Sequence, residues 1–426
     1  MKKGFMAKIE QVLAREILDT RGYPTIETAV TLSDGTVARS SVPTGSSRGT
    51  YEAQQLRDED AGRYFGMGVL KAVDTVNTII APKVIGMEAS EQQVVDKLLI
   101  EMDGTQNKMK LGANSILSVS QAVCKAAAKS SLLPLALYIR QFTSKNGQEH
   151  RMPSPMFNLI EGGKHVENTL NYQEFLVIPA SSHTLSESLE IGVTIHKKLR
   201  EYLKDNNQSV LSAEEGGFAP SYAGNVDAFR TLKTVIEGTR YAFLRDVFMG
   251  VDIAANAILS NKKYVIKDKN GQLDQDDLIE LYQALINDFS LVYIEDPFAE
   301  DDWEGWKKMF SSFAAKTLIS GDDITSTNPY RLQSALNNNV LNAIVLKTDQ
   351  IGTVTEALAV AEIAKFKQLK IVVSSRSGET EDDFIADFAV AIDADYVKFG
   401  APSRERIIKY NRLLAIEQEL SKSKLS

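Results

Sequence analysis

The stretch Leu291–Trp306, LVYIEDPFAEDDWEGW, decides the fold. It opens on Leu291-Val292-Tyr293-Ile294, a β-branched and aromatic run suited to a strand buried on both faces. Glu295-Asp296-Pro297 ends that run, since proline cannot donate to a sheet ladder. Two carboxylates thus stand where a strand gives way to a loop. In barrels of alternating strands and helices, chemistry is placed at that end. Taken alone, Glu295 and Asp296 are better explained as loop acids in water. Their weight comes from the same pattern recurring downstream.

Outward from this stretch the periods alternate. MFNLIEGGKHVEN and QEFLVIPA read as strands, followed by helical ESLEIGVTIHKKLREYLKDN and NVDAFRTLKTVIEGTRYAF. Strand-like FMGVDIAA and helical LDQDDLIELYQALINDF lead into the quoted stretch, with a helix running through Trp306. TLISGDD, NAIVLKTD, KIVVSSRSG and DYVKFG then read as strands, separated and followed by helical periods. Near-continuous apolar strands alternating with helices predict a parallel sheet with helices outside. Residues 146–426 have the length of a closed (β/α)8-type barrel, typically about 250 residues.

Upstream the pattern differs. IETAVTLSDGTVARSSVP alternates around Asp34-Gly35, a hairpin signal. Pro43–Gly49, PTGSSRG, is a small-residue loop suited to a mobile lid, to backbone anion binding, or to a plain turn. From Gly66 to Arg140 the period is helical, and Cys124 reads as a small core residue. Polar Thr143–Arg151 marks the boundary between an α+β domain, 1–145, and the barrel, 146–426. The fold class is α/β.

Composition narrows the function. With 426 residues and 43% hydrophobic content the chain can bury a large core, and a net charge of −8 argues against nucleic-acid binding. One cysteine excludes an internal disulfide and suits a reducing compartment. Four histidines against 56 acidic residues favour a hard, oxygen-ligated cation over zinc. MKKGFMAKIEQ lacks a signal-peptide core, and no stretch is apolar enough to span a membrane, so a cytoplasmic protein is expected.

The residues that close each strand form a series. Asp252, Glu295 and Asp322 are followed by Lys347, Arg376 and Lys398, each about one strand–helix unit after the last. In a barrel all six converge on one mouth. Three acids completed by water or substrate oxygens make an octahedral site suited to Mg2+. The two lysines and the arginine would receive an anion, and a lysine among cations has a lowered pKa and serves as a base. Proton abstraction beside a carboxylate is the chemistry suggested. Glu214-Glu215 precede a glycine pair, and Glu174 is a charge inside a strand, costly unless paired. His165 is the one histidine beside a glycine pair, whereas His183 and His196 read as exposed.

At this point REILDTRGYPT, LGANSIL, EEGGFAP, IEDPFAEDDWEGW, LKTDQIGT and SRSGETEDDF resemble the enolases, the glycolytic phosphopyruvate hydratases, nearly end to end. The resemblance implies a modified (β/α)8 barrel preceded by an α+β domain. It implies a hydro-lyase that reversibly dehydrates a small phosphorylated substrate, 2-phosphoglycerate, to phosphoenolpyruvate, with two Mg2+ per active site. By the same resemblance, Asp252, Glu295 and Asp322 match metal ligands and Ser47 lies in the closing loop that reaches the second metal. Lys347 matches the base, Lys398 a contact to the substrate carboxylate, and Glu215 with Glu174 the acid that helps the hydroxyl leave. Arg376 and Ser377 match phosphate contacts, and His165 a substrate-loop histidine. A homodimer or octamer is implied.

The departures adjoin the substrate. Ser375 stands where the family has histidine, Glu161-Gly162-Gly163-Lys164-His165 replaces Asn-Gly-Gly-Ser-His, and Arg48 replaces threonine. Ala213-Glu214, Tyr23 and Phe399 differ as well. Two other readings stay open. One is a paralogue acting on another 2-hydroxy or phosphorylated acid, motivated by Ser375. The other is a homologue retained as a binding protein, a scaffold or a surface protein capturing plasminogen through lysines such as Lys422 and Lys424, reaching the surface without a signal peptide.

Overall fold

The computed structural model of the chain describes residues 7–46, 49–166, 170–267, 269 and 271–423. Ser47, Arg48, Lys424 and the side chain of Lys422 lie outside the described residues. Strands β1 (Ile9–Leu18), β2 (Pro24–Leu32) and β3 (Val37–Ser41) form an antiparallel meander. Its second turn uses Gly35 at φ +83°, a conformation glycine adopts without a Cβ clash. The almost wholly buried helix Ala113–Ser130, with Cys124 in its core face, packs on this sheet. Arg140 fastens the segment that follows. Its buried guanidinium donates to Asp393 at 2.6 and 3.1 Å and to the carbonyls of Lys145 and Glu149.

The barrel is built from β4 (Ser154–Glu161), β5 (Glu174–Pro179) and β6 (Val247–Asp252). After a short β7–β8 hairpin (Leu259–Ser260, Lys263–Tyr264) come β9 (Tyr293–Glu295) and β10 (Leu318–Gly321). β11 (Ala343–Leu346), β12 (Lys370–Ser374) and β13 (Tyr396–Lys398) complete it, and it closes in the order β10-β11-β12-β13-β4-β5-β6-β9. The all-parallel expectation is corrected at one strand, for β5 runs antiparallel to both β4 and β6. The cause is the connection. The strand expected over MFNLIEGGKHVEN stops at Glu161, Gly163–His165 forms one 3-10 turn, and among the described residues no helix carries the chain back before β5. Two helices, Leu185–Asp205 and Asn225–Glu237, then follow in succession before β6.

Met156, Leu176, Ile178, Tyr293, Val345 and Val372, from five barrel strands, pack together as a cluster separate from the main core. They occupy one end of the barrel; charged residues occupy the other. The opening stretch shows how loop and helix are fixed. Asp302 accepts the Gly305 N–H and caps helix Trp303–Phe313, and fully buried Trp306 returns its indole N–H to the Ala299 carbonyl at 3.1 Å.

Candidate active site

Asp252, Glu295 and Lys398 are the last residues of β6, β9 and β13. Asp322 and Lys347 are the first beyond β10 and β11, and Arg376 the second beyond β12. All six are buried at the carboxyl ends of their strands. Register brings the acids together. Asp252 is paired with Glu295 across β6 and β9, and Glu295 with Ser320, so Asp322 lies one pleat further on.

The two lysines meet these acids directly. Lys398 Nζ lies 2.8 Å from Glu174, 2.9 Å from Glu295 and 3.2 Å from Asp252. Lys347 Nζ donates to Asp322 Oδ2, and the Gln350 amide donates to Asp322 Oδ1 at 2.9 Å. Three strand-end acids facing one another called for a cation; two buried ammonium groups supply part of it. The lowered pKa expected of Lys347 is corrected. Burial and the neighbouring cations pull it down, but Asp322 outweighs them and holds it above the ordinary lysine range. Asp322 is correspondingly lowered, with Lys347 and Lys398 overcoming its burial. Burial pushes Glu295 up to about 8 and Asp252 up to about 6.

An all-oxygen set of buried carboxylates short of positive charge fits a hard divalent cation. Asp322 also has close acidic neighbours the sequence did not single out for metal binding. One oxygen each of Asp296, Asp322 and Asp323 lies within 4.8 Å of the others. Asp296, at φ 41°, accepts the backbone N–H groups of Asp322 at 3.0 Å and Asp323 at 2.8 Å. Its carboxylate therefore fixes the loop that presents Asp322.

Across the mouth, ligand atoms of His165, Glu174 and Glu215 also come within 4.8 Å of one another. Glu161, at the end of β4, organises them. Its fully buried carboxylate accepts the N–H of Glu215 at 3.1 Å and of Gly217 at 2.7 Å, and lies 3.4 Å from His165 Nδ1. Burial works against charge on His165, but the bond to Glu161 and the charges of Glu215 and Glu174 raise it to about 9. Glu174 is pushed up to about 7 by burial. Glu215 is lowered, because His165, Arg406, Lys398 and Lys347 outweigh its burial. The exposed reading of His183 and His196 is corrected. Both are half-buried, and His196 stacks on Phe218 with ring centres 4.6 Å apart, beneath the loop that carries Glu215.

Arg376 is enclosed. Asp349 accepts from Nη1 at 2.7 Å, and Glu52 from both Nη1 and Nη2 at 3.1 Å. Ser377 Oγ accepts the Ser46 N–H at 2.8 Å, tying the small-residue loop to the barrel. Arg406, fully buried, donates to the carbonyls of Arg376, Ser377 and Glu214 and to Ser375 Oγ. Glu52, Asp349 and Arg406 escaped the sequence reading, and Glu161 stood out only as a departure from the enolase pattern; a lone buried charge leaves no periodic signal.

Family models carry the identification. The enolase C-terminal TIM barrel domain matches residues 149–425, and the enolase N-terminal domain matches residues 9–139. The chain belongs to the enolase family. Enolase-type chemistry is thereby supported broadly, on a barrel whose acids suit the Mg2+ that enolases use. Two departures from the enolase pattern acquire physical content. Glu161 sets its carboxylate 3.4 Å from His165 Nδ1, and the Ser375 hydroxyl accepts from Arg406 Nη1 at 3.3 Å. Among the described residues, no helix is long and apolar enough to cross a membrane.

Proposed function

We propose that this chain interconverts 2-phospho-D-glycerate and phosphoenolpyruvate. The observation that carries the reading is the meeting, at one barrel mouth, of two strand-end lysines with the acids Asp252, Glu295 and Asp322 and with the group His165, Glu174 and Glu215. Lys347 projects from the end of β11 and Glu215 from the loop before Gly216-Gly217, where it feels the charge of Lys347.

In this reading Lys347 takes the proton from the carbon beside the substrate carboxylate once Asp322, engaged by a bound cation, no longer holds the ammonium form, and Lys398 meets that carboxylate. Mg2+ held by Asp252, Glu295 and Asp322 would stabilise the charge that develops there. Glu174, raised to about 7, supplies the proton that Glu215 beside it passes to the departing C3 hydroxyl, which leaves as water. Arg376, Ser377 and His165 hold the phosphate end. A dimer or octamer and a cytoplasmic, glycolytic setting accompany the reading.

The test is absorbance of phosphoenolpyruvate formed from 2-phosphoglycerate with Mg2+. Turnover by the wild type, lost in Lys347→Ala, is expected. Undiminished turnover in Lys347→Ala would remove Lys347 as base.

A further inference from the structure

Arg376 is the strand-end cation that faces the distal group of the substrate, yet its donors are engaged by the chain's own acids. Asp349 Oδ2 lies 2.7 Å from Nη1, and Glu52 Oε2 lies 3.1 Å from both terminal nitrogens. All three side chains are buried. Gly45 passes so close that a Cβ there would run into the guanidinium. One cation therefore sits in contact with two carboxylates. A phosphate dianion gains most from a guanidinium with open donors. Here it would meet two like charges beside the donors it needs, in a medium where like charges repel strongly.

The two acids differ in how they are held. Glu52 belongs to the N-terminal segment beyond the small-residue loop, and its Oε1 is held by the Gly49 N–H at 3.1 Å and the Gln350 amide at 3.2 Å. Asp349 lies in the short 3-10 turn Thr348–Gln350 that directly follows Lys347, so its backbone is tied to that of the base. We infer that Asp349 is a specificity-determining residue, which stays on Arg376 and weakens the site's hold on the phosphate dianion of its substrate. This rests on the enolase-type reading only in taking Arg376 as the distal contact.

Inorganic phosphate is the probe, titrated calorimetrically in the presence of Mg2+ at a pH where it is the dianion. Asp349→Asn keeps the shape and removes one like charge at contact, so phosphate binding is expected to tighten about tenfold or more. The KM for 2-phosphoglycerate should fall in parallel. Glu52→Gln should tighten binding less, and it supplies the reading if Asp349→Asn does not fold. Mere structural damage cannot tighten binding. Unchanged or weaker phosphate affinity in the folded variant overturns the inference. Tightened phosphate binding without any turnover of 2-phosphoglycerate would refute the proposed reaction and leave the role of Asp349 standing.

Discussion

Asp252 and Glu295 stand directly opposite one another at the ends of two adjacent parallel strands, and one ammonium group, that of Lys398, reaches both. Two acids sharing one buried cation are under-neutralised, which is why burial and their mutual repulsion drive Glu295 to about 8.

That relationship makes stability depend on pH and metal together. Glu295 ordinarily titrates near 4.5 and here near 8, so between those values the folded chain holds a proton the unfolded chain has lost. Stability of the metal-free protein therefore falls as pH rises through that window. Asp252, raised to about 6, and His165, raised to about 9, act in the same sense as pH increases. Added Mg2+ should raise the Tm more at about pH 8 than at about pH 6, because binding displaces protons already scarce at the higher pH. An equal gain at both would mean these carboxylates do not hold the ion.

Glu161 is expected to govern His165. In Glu161→Gln, the ring titration seen by NMR should fall from about 9 toward the ordinary 6.5. The side-chain amide also cannot accept both backbone N–H groups of the Glu215 loop as a carboxylate does. A stability loss of about 1–3 kcal/mol in urea unfolding is expected. An unmoved titration would assign the shift to Glu215 and Glu174 instead.

Restoring histidine at position 375 should be costly. Ser375 is buried, with its hydroxyl 3.3 Å from Arg406 Nη1 and 3.4 Å from the Lys398 carbonyl. An imidazole must displace the guanidinium that anchors the carbonyls of Arg376, Ser377 and Glu214. Ser375→His is expected to lose about 1–3 kcal/mol in denaturant unfolding. A variant as stable as the parent would show that Arg406 has room to move.

Much of this site was legible because each of the six strand-end charges follows an apolar run, and barrel topology does the converging. Asp252, Glu295, Asp322, Lys347, Arg376 and Lys398 needed only period and order. The reversal of β5 was not legible, since QEFLVIPA looks the same in either direction and only the connection before it decides. Glu52 and Asp349 were missed, and Glu161 was legible only as a departure from the enolase pattern, for a different reason. Their partners, Arg376 and the Glu215 loop, are distant in sequence, and an acid in a loop is ordinarily solvated. The same blindness gave Lys347 the wrong direction of shift, because its contact with Asp322 belongs to tertiary structure.

The central claim, a lysine base and a separate carboxylate acid, is tested most directly by following exchange of the C2 proton of 2-phosphoglycerate with solvent deuterium by NMR, beside dehydration. Glu215→Gln should continue to exchange that proton while dehydration stops, and Lys347→Ala should stop both. Exchange that survives in Lys347→Ala, or vanishes in Glu215→Gln while Lys347 is intact, would contradict the assignment.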